Sequence, residues 1–215
     1  MPLYKTIKPT KETAIYIWQI TESFDDLNTQ FLTENSLNRL NGMQSELHQK
    51  GFLSIRHILK EAGYSDSDLY YKDNGKPHLK DGKHISITHS FSFSAIIISE
   101  ETHVGIDIEK QRDKILRIAH KFTTVEDYNH LTNQEELVRK LTIVWGAKES
   151  LYKIYEQEGL SFLKHIYVED FNFEDTQTTA IITYKKHVSS YTVYFLEFEN
   201  FTMVYAFSYF DTLDA

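Results

Sequence analysis

The chain contains no cysteine among its 215 residues. That excludes disulfides, thiolate metal sites and cysteine nucleophiles together, and it is compatible with a reducing compartment. Long apolar runs are also missing. The longest purely aliphatic stretch is Ala95–Ile98, far short of the ~20 residues a membrane helix needs. The first residues, Met1-Pro2-Leu3-Tyr4-Lys5-Thr6, lack the apolar core of a secretion signal. A soluble, cytoplasmic protein with no membrane partner is the expectation. Basic residues are outnumbered, with 23 Lys plus Arg against 31 Asp plus Glu and a formal charge of −8. Nucleic-acid binding draws on a basic face, so that partner class is set aside. A local lysine cluster still outweighs the global field at contact distance, so a polyanionic small molecule stays open. There is no Gly-x-Ser-x-Gly turn, no Gly-x-Gly-x-x-Gly, no Walker loop and no zinc spacing among the ten histidines.

What is present is ample for a packed core: 41% hydrophobic residues, with 14 Tyr and 14 Phe. Ile15–Ile20 is β-branched and aromatic enough for a strand. Spaced apolar positions over 23–62 suit two or three helices. Asn74-Gly75-Lys76-Pro77 and Asp81-Gly82 are turns, followed by strand-like Ile85–Ser90 and Phe93–Ser99. Val104–Glu109 opens a second half, with helical stretches over about 114–130 and 134–157. Strands are then expected over Thr179–Tyr184, Tyr191–Glu197 and Phe201–Tyr209. No short-period repeat and no low-complexity linker interrupt the chain. Each half runs strand, helices, strands, so the fold class is α+β, divided into an N-terminal half (1–102) and a C-terminal half (103–215).

Within Gly105-Ile106-Asp107-Ile108-Glu109, strand alternation puts Asp107 and Glu109 on one face, about 7 Å apart. Two hard oxygen ligands so placed suit Mg²⁺, which takes one or two carboxylates plus substrate phosphates. An amphipathic strand with solvated acids has the same pattern. In Trp145-Gly146-Ala147-Lys148-Glu149-Ser150-Leu151-Tyr152-Lys153, Glu149 and Lys153 lie one helical turn apart. They are either a surface ion pair or a third metal carboxylate beside a phosphate-binding ammonium. Lys76, on a turn fixed by Pro77, is held out where it can meet an anion. His89, between Thr88 and Ser90, can donate to phosphate oxygens. A plain exposed hairpin and a hydrogen-bonded strand histidine are the alternatives there.

In order along the chain stand a Gly-Lys-Pro turn, Thr-His-Ser, Gly-Ile-Asp-Ile-Glu and Trp-x-x-Lys-Glu-Ser-x-x-Lys. Together they resemble the 4′-phosphopantetheinyl transferase superfamily over about residues 50–210. Phe122–Tyr128 and Gly159–Phe171 look like it too. The length resembles the Sfp-type members, in which two similar α+β subdomains related by a pseudo-twofold axis lie in one chain. The resemblance implies a holo-[acyl-carrier-protein] synthase type activity, moving the phosphopantetheine arm of coenzyme A to a serine of an apo acyl or peptidyl carrier protein with release of 3′,5′-ADP. It implies Mg²⁺ (or Mn²⁺) on Asp107, Glu109 and Glu149, with Glu149 as base, directly or through water, and Lys153 beside it in catalysis. Lys76, Pro77, Thr88, His89, Lys148 and Lys153 would contact coenzyme A, with Arg56 or Lys50 at its 3′-phosphate. The carrier would dock at the junction of the halves, near Lys114, Arg117, Lys121 and Arg139, on a monomer. Thr88 stands where Ser is usual, and Gly146 where Ser or Thr is usual. A non-catalytic coenzyme A or carrier-binding module and a Mg²⁺-dependent nucleotide phosphohydrolase are the competing readings.

Overall fold

A computed structural model describes residues 3–124, 128, 130–155 and 158–208. The chain divides into two compact units, Met1–Thr102 and His103–Ala215. Both are mixed α+β, as the element pattern predicts.

The first unit is built on strands β1 (Leu3–Ile7), β2 (Thr13–Gln19), β5 (His84–Ser90) and β6 (Phe93–Ser99). They form an antiparallel sheet in the order β1-β2-β6-β5. Helices α1 (Glu34–Asn41) and α2 (Glu46–Glu61) precede a small hairpin of β3 (Leu69–Tyr71) and β4 (Pro77–Leu79). Helix α2 covers one sheet face: Ile55, Ile58 and Leu59 pack with Trp18, Ile85, Ile96 and Ile98. Gly75 and Gly82, both with φ above +80° or at it, form the tight turns expected there. Strand β1 has no sequence counterpart above, because only its two ends, Leu3 and Ile7, are even partly buried.

The second unit holds β7 (Val104–Lys110), α3 (Lys114–Ile118), α4 (Gln134–Tyr155), α5 (Phe162–His165), β8 (Ile166–Val168), β9 (Gln177–Tyr184), β10 (His187–Phe198) and β11 (Phe201–Ser208). The sheet is antiparallel in the order β7-β11-β10-β9-β8. The helix expected over 114–130 is shorter: α3 passes into a 3₁₀ turn at Ala119–Lys121. Residues 125–127, 129, 156–157 and 209 of the expected elements lie outside the described residues. Two-residue turns at Lys185-Lys186 and Glu199-Asn200, all with positive φ, close the β9–β10 and β10–β11 hairpins. Helix α4 packs Leu141, Val144, Ala147 and Leu151 into a core with Val193, Val204 and Ala206.

The pattern of β7 departs from a half-exposed strand. Val104 through Ile108 are all buried, so both faces of the strand are covered. Asp107 is 7% exposed.

Candidate functional site

In the second unit, glycine determines how closely helix and strand approach. A Cβ at Gly105 would fall 1.9 Å from the carbonyl oxygen of Ser150, and one at Gly146 would fall 2.7 Å from Cγ2 of Val204. No side chain fits at either place. Val204 lies beside Asp107 in the β11–β7 register, and Ser150 Oγ donates to its carbonyl (3.1 Å). Gly146, Glu149, Ser150 and Lys153 share one face of α4 by helical spacing, and that face rests on Gly105 and Asp107. Gly146 in place of a hydroxyl residue is thus explained by packing on Val204.

Lys153 Nζ donates to the Ile106 carbonyl (2.6 Å) and to Asp107 Oδ1 (2.9 Å). The lysine therefore pairs with the strand carboxylate. Glu149 has its pKa pushed up to about 7, first by burial, then by the charge of Asp107, with Glu109 adding to it and Lys153 opposing. Three carboxylates and one ammonium thus act on one another electrostatically. Among the described residues, no set of three or more His, Asp or Glu side chains is gathered closely enough to hold a metal ion as it stands. The donor chemistry nevertheless fits a hard dication. The set is all oxygen, and burial with the charges of Asp107 and Glu109 holds Glu149 well above the usual carboxylate range, a cost that a bound dication would relieve.

Lys148 faces elsewhere. It is 4% exposed, and its ammonium donates to the carbonyls of Phe122 (2.5 Å), Phe162 (2.9 Å) and Ile166 (2.6 Å). All three protons are engaged, so the expected coenzyme A contact gives way to a structural tie between α4, the 3₁₀ turn and the α5–β8 corner. The indole of Trp145 sits on the same flank between Phe122 and Phe162, at 5.1 and 5.4 Å between ring centres.

Beside Glu109 a surface cavity of about 220 Å³ is walled by Ile115, Ile118, Thr142 and Trp145 and rimmed by Lys110, Arg112 and Lys114. Arg117 and Lys121 are exposed nearby in the chain. Arg139 is not free to join them. Its guanidinium makes a two-pronged pair with Glu197 (3.0 and 2.6 Å) under the Phe173 ring.

In the first unit, Lys76 follows the Gly75 turn and is half-buried; burial and the nearby Lys72 lower its pKa to about 8. His78 and His84 are also pushed down, by burial and then by the lysines. Lys72, Lys76, His78 and His84 thus act on one another electrostatically. Pro77 begins β4 directly after Lys76. Thr88 is buried on one face of β5, while His89 points to the other face and is exposed. Arg56, expected at a 3′-phosphate, is instead buried (5% exposed). Its Nε donates to Asp66 (3.3 Å), and its guanidinium stacks on Phe52. Asp66 accepts in turn from Thr33 and Ser36. Arg56 therefore ties α2 to α1, because a buried guanidinium needs those partners. Lys50 pairs with Glu46 along α2 (3.0 Å).

Residues 103–206 match the family model of the 4′-phosphopantetheinyl transferase superfamily. The match covers the second unit from its first residue to Ala206. The match spans Asp107, Glu109, Lys148, Glu149 and Lys153 and supports a phosphopantetheinyl transferase, with coenzyme A and a carrier protein as the partners the family implies. Arg56, Lys76, Pro77, Thr88 and His89 lie outside it. No curated protein matches the chain. No helix among the described residues is long and apolar enough to cross a membrane.

Sequence reasoning missed the glycine contacts of Gly105 and Gly51 and the carbonyl cage around Lys148. A signal for the first existed, since glycine inside a strand or helix marks a close approach.

Proposed function

We propose that the chain is a Sfp-type, Mg²⁺-dependent 4′-phosphopantetheinyl transferase that modifies a serine of an apo acyl or peptidyl carrier protein. The observation that carries this reading is the environment of Glu149, whose pKa is raised to about 7 by burial and then by the charges of Asp107 and Glu109, within the matched stretch. Two α+β units in one chain support the Sfp type and a monomer.

The serine oxygen forms a bond to the β-phosphorus of coenzyme A while the bond to the α-phosphate oxygen breaks, expelling 3′,5′-ADP. Glu149 takes the serine proton, directly or through a water; a carboxylate with a pKa about 7 suits that exchange. Asp107, Glu109 and Glu149 would hold Mg²⁺ (or Mn²⁺), which when bound withdraws charge from the pyrophosphate. Lys153 holds Asp107 in its orientation and brings a positive charge to the same carboxylates. In the first unit Lys76, on its Pro77-fixed turn, and His89, next to Thr88, are assigned to the coenzyme A phosphates. The cationic rim of Lys110, Arg112 and Lys114, with Arg117 and Lys121, suits an acidic carrier.

The test is to mix protein, coenzyme A, Mg²⁺ and a panel of apo carriers, and to weigh the products. A carrier that gains the phosphopantetheine mass, dependent on Glu149, supports the transferase. Release of 3′,5′-ADP without a carrier points instead to a phosphohydrolase. Coenzyme A binding without turnover on any carrier points to a silent binding module.

A further inference from the structure

Gly51 sits inside the 16-residue helix α2, buried among Phe52, Leu53 and Ser54. Glycine there costs about 1 kcal/mol against alanine, so a specific demand must keep it. A Cβ at this position would fall 2.3 Å from Cδ2 of His89, with Nε2 at 3.2 Å and Cγ at 3.3 Å. The imidazole therefore lies directly on the bare Cα of Gly51, and any side chain there would have to displace the ring.

The ring stands at a defined spot on the sheet. His89 follows Ile85 and Ile87 on the face of β5 that meets α2, and it pairs with Ser94 across the β5–β6 register. Ser94 Oγ donates to Ser54 Oγ (2.8 Å), which donates to the Gly51 carbonyl (2.8 Å). Ser54 and Ser94 are fully buried. Two hydroxyls thus fasten Gly51 to the strand residue opposite His89. Buried hydroxyls are held to such partners, because leaving one unpaired costs on the order of 1–3 kcal/mol.

We propose that Gly51 is a positioning residue for His89, and that the Ser94–Ser54 bridge holds the two in register so that one edge of the imidazole is presented to a phosphate of the ligand. This deepens the reading above and rests on it: His89 must be a phosphate donor for its orientation to matter.

Opposite signs make the proposal testable. A methyl at this position would overlap His89 Cδ2, so Gly51→Ala displaces the ring while adding a better helix former. The variant should melt at or above the wild-type temperature yet bind coenzyme A about tenfold more weakly by calorimetry, one lost charge-assisted hydrogen bond. In an His89→Ala background the same change should alter affinity by no further factor, since coupling through one side chain is non-additive. Ser54→Ala, which leaves the helix free to shift, should weaken binding in the same His89-dependent way and serves if Gly51→Ala does not fold. The His89 imidazole resonances, assigned by loss in His89→Ala, should move in Gly51→Ala without any ligand. Unmoved resonances, unchanged affinity or additive losses overturn the positioning role. Failure of the wild type to bind coenzyme A overturns the transferase reading instead and leaves the ligand-free resonance test standing.

Discussion

A Cβ on Gly105 would lie 1.9 Å from the carbonyl oxygen of Ser150, so helix α4 rests on strand β7 with no side chain between them. The clashing atom is backbone and has no rotamer in which to escape. Gly105→Ala must therefore lift the helix, and overpacking of this kind costs roughly 1–3 kcal/mol, here toward the upper end. The same lift carries Lys153 away from Asp107, so turnover should fall along with stability. Denaturant unfolding measures the first and carrier modification the second. A wild-type unfolding midpoint would contradict the close approach.

Lys148→Met tests which lysine of α4 is structural. It removes an ammonium bonded to three backbone carbonyls at 2.5–2.9 Å and leaves the carbonyls of Phe122, Phe162 and Ile166 to find other donors. A loss of about 2–4 kcal/mol is expected from those unmet acceptors. Under conditions where the variant is folded, its KM for coenzyme A should stay close to wild type. A large rise in KM at wild-type stability would return Lys148 to the ligand.

These contrasts mark what the residues could and could not announce. The alternation in Gly105–Glu109 placed Asp107 and Glu109 on one face, and the apolar spacing of Leu141, Val144 and Leu151 placed a helix where α4 stands. Whether that strand face meets solvent or a helix is decided by α4, which starts 24 positions after Lys110. Lys148 and Lys153 are alike in type, and α4 is apolar on more than one flank, so periodicity alone left open which one meets Asp107. The small residues Gly146 and Ser150 decide it, by letting their flank approach β7. Arg56 was beyond reach for a different reason: a buried guanidinium with a carboxylate ten residues away looks, in sequence, like any surface arginine. Helix α5, at four residues, is too short to carry a period at all.

Glu149 gives the metal-free protein a pH signature. Its pKa rises on folding from 4.5 to about 7, so between those values the folded state binds more protons than the unfolded one. Stability from this group is fully present below about pH 4.5, falls as pH rises toward 7 and stays lower above it, a span on the order of 3 kcal/mol at most. In chelator, Glu149→Gln should flatten that window. Added Mg²⁺ should raise the melting temperature more at pH 8 than at pH 5.5, because a dication competes with the proton for the carboxylates. An equal Mg²⁺ effect at both values, or none, would count against the assigned ligands.

Lys153 joins the strand to the helix through charge, and its removal separates orientation from bulk packing. Lys153→Met keeps the stem but leaves Asp107, 7% exposed, without the ammonium at 2.9 Å. A buried carboxylate deprived of its cation is costly, so the side chain should turn or take up a proton. Either response spoils a ligand set that needs Asp107 ionised and aimed. Turnover should fall at least about a hundredfold, the scale of losing one preorganised charge, with KM for coenzyme A changing far less. Lys153→Arg should not restore it. A planar guanidinium cannot place one compact donor on both the Ile106 carbonyl and Asp107 Oδ1. Steady-state rates on a carrier substrate decide the matter: an arginine variant with near-normal kcat would show that charge alone suffices and that the positioning of Asp107 by Lys153 does not limit the reaction.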